Sequence, residues 1–141
     1  MERSVIKQVN VPYVDGTGSG GSVKSGINGL SVNIFLLSGY EVGFSKNINK
    51  YIPIDGVALS YFEEGDGTSA NNKRIAYLDG TAEHYSLRSP SQVNTESGVI
   101  VQNNGQFGNG MVNGAYGIRP ALILPSNALF DKNTLILKGV S

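Results

Sequence analysis

Tyr85-Ser86-Leu87-Arg88-Ser89-Pro90 and, further along, Gly117-Ile118-Arg119-Pro120-Ala121-Leu122-Ile123-Leu124-Pro125 each set one arginine inside an apolar stretch and beside or near a proline. A guanidinium carries its N–H donors in a rigid planar fork and keeps its charge in proteins. Between buried neighbours it must meet acceptors, because an unpaired buried charge is costly. The apolar flanks of Arg88 and Arg119 favour a structural role, in which each clamps a loop carbonyl or a buried carboxylate such as Glu41. The rival reading has them orient a ligand carboxylate or a sugar hydroxyl.

Working outward, the chain is punctuated by glycine, asparagine and serine, with 19 glycines in 141 residues. Long helices do not survive that density, so short strands and ordered loops are expected. Residues 4–13, 31–37, 85–87, 97–101, 106–112 and 118–124 read as strands from their β-branched and aromatic content. The continuous apolar character of 31–37 predicts burial on both faces, and 118–124 reads as the last core strand. Asp79-Gly80, Asn103-Asn104-Gly105 and Asn113-Gly114 are turns, the second suited to a hairpin. A final hairpin is expected from 129–130 and 134–137 around Asp131-Lys132-Asn133. Ser38 and Glu41 have the spacing of a capping box, with Val42 and Phe44 continuing its apolar face. Tyr61 and Phe62 are expected core anchors, 74–78 a short strand or helical turn, and 15–22, 47–59 and 63–72 loops. The fold class that follows is α+β and strand-rich, with hairpins, long ordered loops and little helix, in one domain over residues 1–141.

Composition removes several functions. Eleven basic and eleven acidic residues give a formal net charge of zero, which argues against nucleic acid or an anionic membrane surface as the main partner. Cysteine is absent, and with it disulfides, thiolate nucleophiles and Cys-type metal sites. No apolar stretch approaches the roughly 20 residues of a bilayer span, so no membrane insertion is expected. Met1-Glu2-Arg3-Ser4 is followed by no apolar core, so no signal peptide is expected.

The chemistry-bearing residues form no recognisable catalytic or metal pattern. The lone histidine, His84, cannot build a multi-His site, and no Gly-x-Ser-x-Gly elbow accompanies it. It is expected at the surface or a strand edge. Glu63, Glu64 and Asp66 suggest calcium, but Thr68, Ser69 and Ala70 interrupt the ligand series. Glu41, Asp55, Glu63, Glu64 and Asp66 could supply a carboxylate pair for sugar hydrolysis, which depends on spacing in space. The Gly-rich loop after Asp15 lacks the helix and the Lys-Ser/Thr offset of a phosphate cradle. Among the aromatics, Phe107 and Tyr116 sit beside Gly/Asn turns and are the expected surface ligand contacts, with Asn103, Asn104 and Asp66 as loop candidates. No catalytic residue, metal or cofactor is assigned.

The order of several segments carries a resemblance. It runs from Ile34-Phe35-Leu36-Leu37-Ser38 with Glu41-Val42-Gly43, through Tyr61-Phe62 and Arg74-Ile75-Ala76, to the strand ending at Pro90. A Val-rich hairpin with Gly105 and the segment from Gly117 to Leu122 follow. This resembles an uncharacterised bacterial and phage domain family marked by "FLLS-x-x-EV", "WWLRSP" and "GVRPAL" strands, over roughly residues 5–124. Tyr85-Ser86 stands where that family has a tryptophan pair, and the family usually has a further segment before its Val-x-Val-Pro-Tyr stretch. The resemblance implies a C-type-lectin-like fold, in phage tail, prophage or bacterial surface proteins. It implies a non-enzymatic module that recognises a cell-surface glycan or protein or joins a tail assembly. The location implied is extracellular, on a virion or on a bacterial surface. The chain is expected to be one lectin-like domain or the C-terminal part of a longer one, with homo-oligomerisation open. The alternatives are a cell-wall glycan hydrolase using a Glu/Asp pair and a purely architectural subunit.

Overall fold

The computed structural model describes residues 6–16, 21–91, 94–134 and 136–140. Met1 to Val5, part of the Gly-rich loop after Gly16, Gln92, Val93, Leu135 and Ser141 lie outside the described residues, and so do the readings made on them.

The protein is a strand-rich α+β domain with one α-helix among the described residues. Its largest sheet holds β8 (Tyr85–Pro90), β9 (Ser97–Val101), β10 (Phe107–Met111) and β11 (Gly117–Ile118), in the order β10-β9-β8-β11. The β9–β10 hairpin is antiparallel with Phe107 opposite Val101, and Gly105 at its tip has a φ of 82°. β8 alternates buried and half-buried residues, so Tyr85, Leu87 and Ser89 share the inner face. Tyr85 and Leu87 join Val42, Phe44, Ile52, Phe62, Val99 and Val101 in the core. The register between β8 and β9 is regular at Tyr85 and Ser86 and irregular before Pro90. At that break the Arg88 backbone N–H turns away and donates to the Leu37 carbonyl.

Smaller pairs surround this sheet. β1 (Val9–Val11) pairs with β4 (Leu30–Val32), and β2 (Tyr13–Asp15) pairs with β3 (Ser22–Lys24). The single strand expected over 4–13 is thus two, divided at Pro12, which has no N–H to continue a ladder. The strand expected over 31–37 is also two, β4 and β5 (Ile34–Leu36), divided at Asn33. Its expected burial on both faces fails: β5 pairs only with β12 (Pro120–Leu122), and Ile34 is exposed. The last core strand expected over 118–124 is likewise replaced by the short β11 and β12, and Ile118, Leu122 and Ile123 are exposed. β6 (Ala76–Leu78) and β7 (Thr81–Glu83) form a hairpin whose turn residues, Asp79 and Gly80, both have positive φ, the signature of a type I′ turn. β13 (Ala128–Phe130) and β14 (Leu137–Val140) make the final hairpin, its second arm starting later than the sequence suggests.

The polar stretch 63–72, expected as a loop, contains the start of α1 (Thr68–Arg74). Ser and Asn are modest helix formers, and the tertiary contacts of α1 outweigh their propensity. Ala70, Asn71 and Arg74 are its buried residues. Phe62 is a core anchor as expected, whereas Tyr61 is exposed and meets Phe62 edge-on at 5.0 Å between centroids.

Candidate functional site: a cleft beside the central sheet

Three arginines organise the polar interior, and they differ in how completely they are satisfied. Arg88 has a side chain only 9 % exposed. Its Nη1 and Nη2 each donate to a Glu41 carboxylate oxygen at 2.6 Å. Nε donates to the Pro12 carbonyl, Nη1 also to that of Leu36, and Nη2 also to that of Asp55. Glu41 in turn accepts from the Ser38 backbone N–H, while the Ser38 hydroxyl accepts from the Glu41 N–H. The capping box is therefore fused to a bidentate ion pair. Next to it the Asp55 carboxylate accepts from Ser89 Oγ at 2.7 Å, and its other oxygen, Oδ1, is buried without a partner. Burial pushes the Asp55 carboxyl above its ordinary range, with Ser89, the Arg88 charge and Ser38 pulling the other way.

Arg74 was missed by the sequence reading as a buried cation. It is fully buried, and its guanidinium donates to the carbonyls of Val42, Gly43, Glu63 and Gly65 and to Asn71 Oδ1. Its face lies 4.5 Å from the Phe44 ring centroid. No signal short of the fold reveals it, because four of its five acceptors are main-chain carbonyls outside α1.

Arg119 is only partly satisfied. It is half-buried, and Nη1 alone has partners among the described residues: the Arg74 carbonyl at 3.3 Å and the Tyr85 hydroxyl at 3.2 Å. Tyr85 donates its own proton to the Arg74 carbonyl at 2.8 Å. Burial raises the Tyr85 phenol above its ordinary range, with Arg119 opposing.

Arg119 lines an open cleft of about 860 Å³, within the size range of small-molecule sites. One wall is Ile75 and β6, the other is 115–120, and His84 and Tyr85 lie between them. The walls are unusually apolar for exposed surface: Tyr77 is 67 % exposed, Leu78 64 % and Ile118 67 %. His84, expected at the surface or a strand edge, is half-buried, and its Nδ1 is buried with no hydrogen-bond partner among the described residues. Glu83 is the only carboxylate among the described residues that line the cleft. Tyr116 is fixed by its neighbours, since Cβ atoms at Gly110 or Gly114 would collide with its ring.

The expected ligand contacts scatter. Tyr116 lies in the cleft wall. Phe107 is not on the open surface but is packed against the core, edge-on to Phe44 at 5.6 Å. Asn103 and Asn104 are exposed at the β9–β10 tip, where Asn104 bonds Gln106, and they do not line the cleft. Asp66 is exposed before α1, and its carbonyl accepts from Asn71. Glu63 is engaged by Lys73, and Glu64 by Ser45 and Asn47. Among the described residues no group of three or more His, Asp or Glu is placed to hold a metal ion. No described helix is long and apolar enough to cross a membrane.

The fold and this cleft define a strand-rich α+β domain with a preformed, largely apolar recess beside its central sheet. Residues 1–126 match the family described as "Domain of unknown function (DUF6273)", and the chain belongs to that family. No curated protein and no solved structure shows a significant similarity to the chain.

Proposed function

We propose that this chain is a non-enzymatic, lectin-like recognition module of phage, prophage or bacterial surface origin, and that its ligand, a cell-surface glycan or protein, enters the cleft between β6 and the 115–120 segment. The observation that carries the reading is the open recess itself, with Tyr77, Leu78 and Ile118 exposed on its walls and Arg119 holding unused donors. Exposed apolar side chains gathered around a few convergent polar groups are the usual composition of a binding site. The lectin-like and phage or surface assignments rest on the motif resemblance. A single carboxylate in the lining favours binding over two-carboxylate sugar hydrolysis.

The test is retention of the purified chain on cell-wall and surface-protein preparations from Gram-positive bacteria. The native chain is expected to bind, and Tyr77→Ala with Ile118→Ala to weaken binding at least about tenfold, or about 1.4 kcal/mol. Ile27→Ala, at a residue 90 % exposed and outside the cleft lining, is the control and should bind as the native chain does. Absence of retention, or retention indifferent to the cleft substitutions, refutes the reading.

A further inference from the structure

The geometry points to a carboxylate-bearing sugar as the ligand of this cleft, with Arg119 as the residue that reads its carboxylate. The inference rests on the proposed binding role of the cleft and adds the chemistry of the ligand.

The argument starts from an unfinished coordination. Arg74 and Arg88 each place all three guanidinium nitrogens on protein acceptors. Arg119 places only Nη1, leaving Nε and Nη2 without a partner among the described residues. Those two nitrogens form one edge of the fork, and their parallel N–H groups match the two oxygens of a carboxylate. No carboxylate of the described residues lies within ion-pairing distance of Arg119. Its acceptors are a carbonyl and a phenol, neither of which neutralises the charge. The fully buried Arg74 lies directly behind, its carbonyl taking the Nη1 hydrogen bond.

The guanidinium is also held in place. The Tyr85 and Phe62 ring centroids lie 5.5 Å and 6.0 Å from its central carbon. Rings at that range stabilise the cation and keep water from part of its surface, so a hydrogen bond on the free edge is stronger than it would be in open solvent.

The rest of the lining suits a sugar ring. Tyr77 and Tyr116 offer aromatic surface to the C–H face of a pyranose, and the glycines at 110 and 114 fix the Tyr116 ring. The exposed Glu83 in the same lining is free to bond hydroxyl groups. A neutral sugar would leave the Arg119 edge unmatched, which is where discrimination arises.

The deciding experiment is a glycan array in which uronic, sialic and muramic acid glycans each stand beside their carboxyl-reduced neutral counterparts. Native protein is expected to select carboxylated glycans and to lose at least about tenfold in affinity when the carboxyl is reduced, as a charge-assisted bidentate contact predicts. That comparison needs no substitution, so it is independent of folding defects. Arg119→Lys, checked for an unchanged melting temperature, should lose a similar factor because the paired edge is gone. Selection of neutral glycans, or affinity unchanged on carboxyl reduction, overturns the inference; if Tyr77→Ala still abolishes that binding, the cleft's recognition role stands without it. Retention only on surface proteins, with no glycan bound, overturns the inference and leaves the recognition role. No binding to any probe overturns both.

Discussion

Arg88 and Arg119 sit in similar sequence, each flanked by apolar residues and near a proline, and they end in opposite circumstances. Arg88 is enclosed by Glu41 and three carbonyls, while Arg119 keeps an open edge on the cleft. Glu41 is legible as a partner because a guanidinium between apolar neighbours needs a buried acceptor, a carboxylate such as Glu41 or a loop carbonyl. Nothing local distinguishes the surroundings of Arg119, because its partners, Tyr85 and the Arg74 carbonyl, are distant in sequence. Glu41→Gln should destabilise the fold by about 3–5 kcal/mol, the range for breaking one side of a buried pair, read from urea unfolding midpoints. A cost below about 1 kcal/mol would mean that the pair behaves as an exposed surface bridge.

Asp55 supplies a second test at this scale. Its carboxyl is raised in the fold, so its protonated form is the better fit. The stabilising contribution is therefore fully present below the unfolded value, near 3.8, and is lost as pH rises through the higher folded value. Glu63 and Glu64 are both lowered, by their hydrogen bonds to Lys73 and to Ser45, and so act in the opposite direction, contributing above their unfolded values and losing that contribution as pH falls. The difference between native chain and Asp55→Asn isolates Asp55. Denaturant unfolding from pH 4 to 8 should show the variant gaining on the native chain as pH rises, and a gap independent of pH would contradict the assignment.

At the scale of elements, turns were the most readable part. Asp79-Gly80 and the Asn104-Gly105 tip announce their hairpins because few residues accept positive φ. Gly105 has a further constraint, since a Cβ there would run into the Asn71 backbone in α1. The tip is thus locked against the helix, and Gly105→Ala should cost roughly 1–3 kcal/mol. The thermal melt of the variant measures it; an unchanged midpoint would mean that the hairpin and α1 do not pack as described. The helix itself was unreadable. Its residues have no apolar period, and it is tied down by Arg74 reaching carbonyls about thirty residues away in sequence, at Val42 and Gly43. The run over 31–37 reads as buried on both faces because continuous apolar character normally signals it, and 118–124 reads as a core strand. Here β5 and β12 pair with each other as an isolated ladder, and Ile34 and Leu122, opposite one another, are both exposed.

For the whole molecule, composition pointed to the strand-rich fold class and motif order to an uncharacterised family, and neither located the cleft. Its walls come from β6 and from the 115–120 segment, brought together by the parallel pairing of β11 with β8 and by the Arg119 hydrogen bond to the Arg74 carbonyl. The sequence placed contacts at the Gly/Asn-rich tips, where Asn103 and Asn104 stand, yet the recess lies elsewhere, with Tyr116 the one expected contact in its lining. The most direct measurement of the central claim is amide hydrogen–deuterium exchange of the native chain with and without the Gram-positive cell-wall preparation. Slowed exchange at 75–78 and 115–120, with 103–105 and 63–67 unchanged, is the result this account predicts. Protection confined to 103–105 and 63–67, or none anywhere, would contradict it.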